Sequence, residues 1–358
     1  MRLRGVILGV VTVSLMTLTA ACGSGEDSAV GSQLTIFSWD DYFPPSTVPN
    51  FEAEFGIDVV VETFDSSDEV LAAVQSDPSR YDVVWLSDPF IAQMTDLRLL
   101  AELDQSNIPN LTNVDPAFLD QPWDPGNRYS VPYTWGSTGI IYNRKYVPEP
   151  GESWALLRDP KLAGHVALLD EPQWVVGLTL KSLGYPLNSA DPEQVDQAVQ
   201  VLQAQRPLLA GFFDPITIRE EMTSEELWAA QLYNGDAAFL MADSEDMGFF
   251  IPAEGSDIWF DNLAIPRDAK NKAGAELFLN YILRPDVHAE ISNYTGYAVP
   301  NKAAMEQGLI DEALLGSAVS YPPRNGLESW IPMDGERLAL WNRAWAEAQR
   351  GSARSSLP

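Results

Sequence analysis

The chain has 358 residues, 46% of them apolar, which is enough for two lobes each with its own core. A formal net charge of -29 excludes nucleic acid, whose phosphates would be repelled, and a single cysteine excludes an intramolecular disulfide framework. The acidic surplus draws cations, although a general solubility or salt adaptation accounts for most of it, since only a few carboxylates can line one ligand site.

The chain opens with a targeting segment that stands apart from the fold. Arg2 and Arg4 make a basic start, 6–18 is an apolar stretch too short for a membrane span, and Thr19-Ala20-Ala21-Cys22-Gly23 is a small-residue cleavage site. Residues 1–21 therefore read as a signal peptide and 22–32, rich in Gly, Ser and acids, as a flexible tether. Beyond the tether, strand-like and helix-like segments alternate, as in an α/β protein. Runs 34–39, 57–62 and 82–86 are β-rich. Between them 48–55 reads as a helix closed by Gly56, and Ser66 with Glu69 makes a capping box for a helix through Val74. Further strands are predicted at 139–142, 166–169, 237–241 and 258–265. Asp191-Pro192-Glu193-Gln194 is a helix start with Pro at the first helical position, and Thr223 with Glu226 predicts another helix ended by Gly235. No repeat and no clean linker separate two contiguous domains, which fits a chain that crosses between lobes more than once.

Two segments carry the same chemistry: Trp39-Asp40-Asp41-Tyr42 follows the first strand-like run, and Trp259-Phe260-Asp261 sits in a late one. Aromatic faces beside carboxylates trap cations, because the ring attracts an ammonium, packs methylenes and leaves the carboxylate to neutralise the charge. An aliphatic polyamine alternates those two chemistries. Enzyme readings are weaker. His165 and His288 lack metal-ligand spacing, and no GxSxG, HExxH, P-loop or dinucleotide fingerprint is present. No cofactor or metal is expected, and a carboxylate pair such as Asp41 with Asp261 leaves glycoside hydrolysis as a remote alternative.

The chain resembles the periplasmic spermidine/putrescine-binding proteins of polyamine ABC importers along most of its length. The resemblance is carried, in order, by Phe37-Ser38-Trp39-Asp40-Asp41-Tyr42, Tyr81-Asp82-Val83-Val84, Tyr129-Ser130-Val131-Pro132-Tyr133-Thr134-Trp135-Gly136, Leu183-Gly184-Tyr185, Trp259-Phe260-Asp261-Asn262-Leu263-Ala264-Ile265-Pro266, Leu283-Arg284-Pro285-Asp286-Val287, and Gly296-Tyr297 with Pro300-Asn301. It implies a two-lobed, type II periplasmic-binding fold, with one lobe at 33–137 plus 260–305 and the other at 138–259 plus 306–358. Crossings near Ser137 and Phe260 would form a hinge, and the ligand would lie in the cleft.

The resemblance further implies that Trp39, Asp41, Tyr42, Trp259, Asp261 and Tyr297 hold an extended polyamine, with Ser87 lining the cleft and Glu171 supplying an acid. Departures fall inside that site: Pro89 replaces a loop tyrosine, Trp174 a second carboxylate and Asp243 a tryptophan wall, while Asp246 matches an acid of putrescine-type members. An acidic end near Asp243 and Asp246 and an apolar end near Trp174 are expected. Cys22 looks like a lipobox cysteine, with Thr19 where Leu is usual. It would anchor a monomeric receptor to the outer face of a membrane, where it would serve an ABC permease. An amino-acid, sugar or ferric-ion receptor of the same fold is the alternative. The first needs a cation for the α-carboxylate, and Arg128, Arg144 and Arg219 read as surface ion pairs instead.

Overall fold

The structure, a computed structural model, describes residues 30–332 and 335–350. The predicted signal peptide and Cys22 lie outside the described residues. Among these residues, eleven strands build two sheets: β1 Gln33–Trp39, β2 Asp58–Phe64, β3 Val83–Ser87, β4 Ser130–Gly136, β5 Thr138–Asn143, β6 Val166–Leu169, β7 Leu209–Phe213, β8 Ala229–Tyr233, β9 Met247–Phe250, β10 Ser256–Ala264 and β11 Leu327–Ser329. The first sheet runs β11-β10-β3-β1-β2, with β4 also paired to β10, and the second runs β7-β6-β8-β5-β9. This is a two-lobed α/β fold with a cleft between the sheets.

Burial explains the strand compositions. The run Val83–Ser87 is buried throughout, because β3 is a central strand, parallel to β1 and antiparallel to β10, covered on both faces. Edge strand β2 instead carries Asp58 and Glu62 and leaves Val60 and Val61 exposed; charges on an edge discourage pairing with another chain. The helix Thr47–Phe55 ends at Gly56 in the left-handed region, and Ser66 Oγ accepts from the Glu69 N–H at 3.3 Å to cap Ser67–Ser76. Asp191 caps Pro192–Gln205 by accepting from the Glu193 N–H. These are the elements the local signals predict.

Residues 215–243 differ from the sequence expectation. The helix is Pro215–Thr223, capped by Asp214, whose side chain accepts from the Thr217 N–H; strand β8 follows, and then the helix Asn234–Asp243. Thr223 ends its helix, with its hydroxyl donating to the Arg219 carbonyl. Gly235 begins a helix rather than ending one, and the segment read as a strand at 237–241 is helical, because a short apolar run looks the same in either state. The reason for glycine at 235 is tertiary: a Cβ there would stand 2.4 Å from the Tyr297 ring.

The chain passes between the sheets at Ser137, between β4 and β5, and again over 251–255, between β9 and β10. It returns a third time to pack the helix Gly335–Gln349 on Pro192–Gln205, burying Trp341, Ala344 and Ala348. Asp257 ties these passages together. Its carboxylate accepts from the Thr138 N–H at 2.8 Å, the Thr138 hydroxyl at 3.1 Å and the Trp330 indole at 3.1 Å.

Gly235→Ala should drive the new methyl into the Tyr297 ring and destabilise the protein by about 1 to 3 kcal/mol, as overpacking does. Urea unfolding followed by near-ultraviolet circular dichroism measures this, and a midpoint equal to wild type would show that the ring yields freely.

Candidate functional site

The cleft opens at the carboxyl ends of β1, β2 and β3, the usual ligand position for open α/β sheets. It encloses about 830 Å³ of space, mouth included. On β10 the two-residue period sends Trp259 and Asp261 to the cleft and Phe260 to the opposite side, where it packs on Trp123 and Phe118. A register shift in the β4 pairing falls at Asp261/Asn262, and such irregularities commonly re-aim side chains beside sites.

Asp261 is the carboxylate at the cleft floor. Its Oδ2 accepts from the Tyr42 hydroxyl at 2.6 Å, and Tyr42 also bonds Thr134 at 2.6 Å. Burial pushes the Asp261 carboxyl up to about 6, against the lowering effect of that phenol. Burial likewise holds Tyr42, Tyr233 and Tyr297 well above the ordinary phenol range, so they stay neutral donors. Aromatic edges and faces close the walls. Trp259 meets Tyr297 at 5.3 Å and Tyr233 at 5.7 Å, Tyr233 meets Trp174 at 6.2 Å, and Trp39 packs on Phe64 at 4.5 Å.

Glu171 lies just behind this lining, buried at the start of the helix Pro172–Ser182, where it makes no cap hydrogen bond. Its Oε1 instead accepts from the Ser67 N–H at 3.3 Å, at the first residue of Ser67–Ser76. Desolvation outweighs that bond and pushes the carboxyl up to about 8. Ser87 ends β3 opposite Asp261 on β10 and lines the cleft, with no partner for its hydroxyl among the described residues.

The outer end is built around Arg219. Its guanidinium reaches Asp41 at 3.2 Å and Asp236 at 3.4 Å and lies 4.0 Å from the Phe239 ring centroid. Tyr294 donates to the other oxygen of Asp41, and Tyr297 to the other oxygen of Asp236. Asp41 itself sits at φ 54, a left-handed position that Asp tolerates better than most side chains.

Of the predicted residues, the structure brings Trp39, Asp41, Tyr42, Ser87, Trp174, Trp259, Asp261 and Tyr297 to one cleft. Asp243 and Asp246 are corrections. Asp243 is exposed at a helix end, and Asp246 pairs with Lys145 at 3.1 Å on the surface; the acidic end they were expected to form is made by Asp41, Asp214 and Asp236. The wall expected to be missing at 243 is present as Tyr233. Arg219 is a further correction, since it lines the cleft, whereas Arg128 does form a surface pair with Glu102. Asp214-Pro215 was the available signal, because a helix starting there carries Arg219 on the face of Pro215, one turn on. Among the described residues, no His, Cys, Asp and Glu side chains are grouped to hold a metal.

Residues 47–313 match the model of the bacterial extracellular solute-binding protein family. The spermidine/putrescine-binding periplasmic protein of Escherichia coli is 33% identical over 322 residues, 89% of this chain and 92% of that protein. The putrescine/agmatine-binding protein of Pseudomonas aeruginosa is 30% identical, covering 96% of this chain and 99% of its own. Among solved structures, the spermidine/putrescine ABC transporter substrate-binding protein of Streptococcus pneumoniae is 32% identical with a TM-score of 0.75, over 89% of this chain and 99% of that one. A fold of this topology, a cleft at its strand ends and relatives aligned over nine-tenths of their length lead to one conclusion: the chain belongs to the bacterial extracellular solute-binding proteins, alongside the spermidine/putrescine-binding members.

Proposed function

We propose that the protein captures an aliphatic di- or polyamine of the putrescine or spermidine kind and delivers it to the permease of an ABC importer. The observation that carries this is the cleft floor, where a buried carboxylate, Asp261, is ringed by Tyr42, Trp259 and Tyr297. Asp261 takes one ammonium. Trp39, Tyr42, Trp174, Trp259 and Tyr297 pack the methylenes, Ser87 offers a hydroxyl, and Asp41 with Asp236 forms the outer acidic end. Glu171 supplies the second lobe's grip. The proposed lobes are 33–137 plus 260–305 and 138–259 plus 306–358, hinged near Ser137, with the second hinge moved from Phe260, which lies inside β10, to the crossing over 251–255, and a cation touching both favours the closed form by its differential affinity. Arg219 gives an amino-acid ligand a carboxylate partner, but two aspartates already engage that guanidinium, so the amine reading stands first.

Cys22 is proposed as a lipidated first residue that holds a monomeric receptor to the outer face of the membrane, with 22–32 as spacer. Among the described residues no helix is long and apolar enough to cross a membrane. Cys22→Ser should move the protein from the membrane to the soluble fraction, and unchanged fractionation would remove the lipid anchor.

Asp261→Asn should weaken amine binding by well over tenfold, since a desolvated charge-assisted partner is worth about 2 to 5 kcal/mol. Calorimetry with putrescine, cadaverine, agmatine and spermidine measures this. Equal affinity in variant and wild type would misplace the site, and no amine bound at millimolar concentration would exclude the ligand class.

The ligand-free protein should lose stability as pH rises. Glu171 is raised to about 8 from the ordinary glutamate value, so the folded state holds a proton that the unfolded state releases. Its contribution is full below the ordinary glutamate range and is lost as pH rises through about 8. Glu171→Gln should flatten that fall in melting temperature. An unchanged slope would mean that the carboxyl titrates normally.

A further inference from the structure

We propose that Arg219 is a resident cation, a guanidinium that fills one cation position of the cleft and so sets how many positive charges a ligand can bring. The proposal rests on the amine reading above and names what limits it. Arg219 is the only basic residue among the described residues lining the cleft, set against the carboxylates of Asp40, Asp41, Asp65, Asp214, Asp236 and Asp261.

Its surroundings are those an alkylammonium would want. The Phe239 ring lies 4.0 Å away, Asp41 reaches in at 3.2 Å from one side and Asp236 at 3.4 Å from the other. An aromatic face with flanking carboxylates is how a desolvated cation is held. The remaining oxygens of both aspartates accept from Tyr294 and Tyr297. Every oxygen of Asp41 and Asp236 therefore already has a donor. Asp261 differs, because Tyr42 is its one side-chain donor among the described residues, and that bond uses only Oδ2.

The cleft thus offers an entering amine an open carboxylate at its floor and, at Asp41 and Asp236, a pair of carboxylates of which one charge is already offset by the guanidinium. An amine of low charge can be met by the carboxylates left open, whereas each further ammonium that a ligand brings must face the Arg219 guanidinium or displace it. Arg219 is accordingly a specificity-determining residue that favours low-charge amines. Its side chain is 17% exposed, so it reaches the cleft mouth, and displacement has a route but costs both ion pairs.

Arg219→Gln removes the charge and keeps an amide. By calorimetry its ratio of spermidine to putrescine affinity should rise by about tenfold or more over wild type, the size expected when one opposing charge is removed from a partly desolvated site. Arg219→Lys, which keeps a charge, should stay near the wild-type ratio. Arg219→Ala leaves a guanidinium-sized gap, and millimolar ethylguanidinium should raise its melting temperature while leaving wild type unaffected. An unchanged or lower ratio in Arg219→Gln overturns the proposal, as does an Arg219→Ala variant indifferent to ethylguanidinium. If no amine binds wild type, the amine reading fails, and the ethylguanidinium response still decides whether this is a cation position.

Discussion

The buried carboxylate of Asp257 is the interaction on which the cleft depends. It is fully shielded from solvent, a placement that would be costly for an unpaired charge. Burial raises its pKa, and hydrogen bonds from Thr138, Trp330 and Ser256 oppose the rise. Those donors come from separate passages of the chain: the start of β5, the segment after β11, and β10 itself. One side chain therefore fixes the three places where the chain moves between sheets. Asp257, Trp259 and Asp261 then follow at two-residue intervals along β10, which puts the tie, an aromatic wall and the floor carboxylate on one face of one strand. Loosening the tie would shift wall and floor together.

That coupling explains why some of the site was legible in the sequence and some was not. Trp39 to Tyr42 and Trp259 to Asp261 sit at or near strand ends whose apolar runs are unambiguous, so their place could be read locally. The Ser66 cap and the Asp191-Pro192 start depend only on neighbours within a turn. Arg219 meets Asp41 across 178 positions of sequence, and no local pattern encodes that pairing. Gly235 misled because glycine after an apolar run most often ends a helix, whereas here it clears space for Tyr297, which is distant in sequence. The acids at 243 and 246 were expected in the site from the resemblance alone: Asn234–Asp243 is a helix that begins at the cleft, and its far end lies on the surface.

The cleft is also an electrostatic compromise in its ligand-free form. Asp261 and Glu171 are buried before any cation arrives, and burial disfavours their ionised forms, which is why both pKa values are raised. Tyr42 stays neutral and donates to Asp261, whereas Glu171 accepts from the Ser67 N–H. Where a guanidinium is supplied by the chain, at Asp41 and Asp236, charge is met by charge. Where none is supplied, at Glu171, charge is met by a proton.

The two ends of the cleft therefore pose different problems to an entering cation. At the floor it competes with protons, and competition with protons weakens as pH rises, so affinity gained there is a function of pH. At the outer end it competes with a tethered guanidinium, whose local concentration is fixed by the helix Pro215–Thr223 and does not change with pH, because arginine stays charged. Salt screens the partly exposed Arg219–Asp41 pair more than the buried floor. Selectivity by charge number then belongs to the outer end and pH sensitivity to the floor. A single cleft can hold both properties because the two carboxylate groups answer to different phenols, Tyr42 at the floor and Tyr294 and Tyr297 at the outer end.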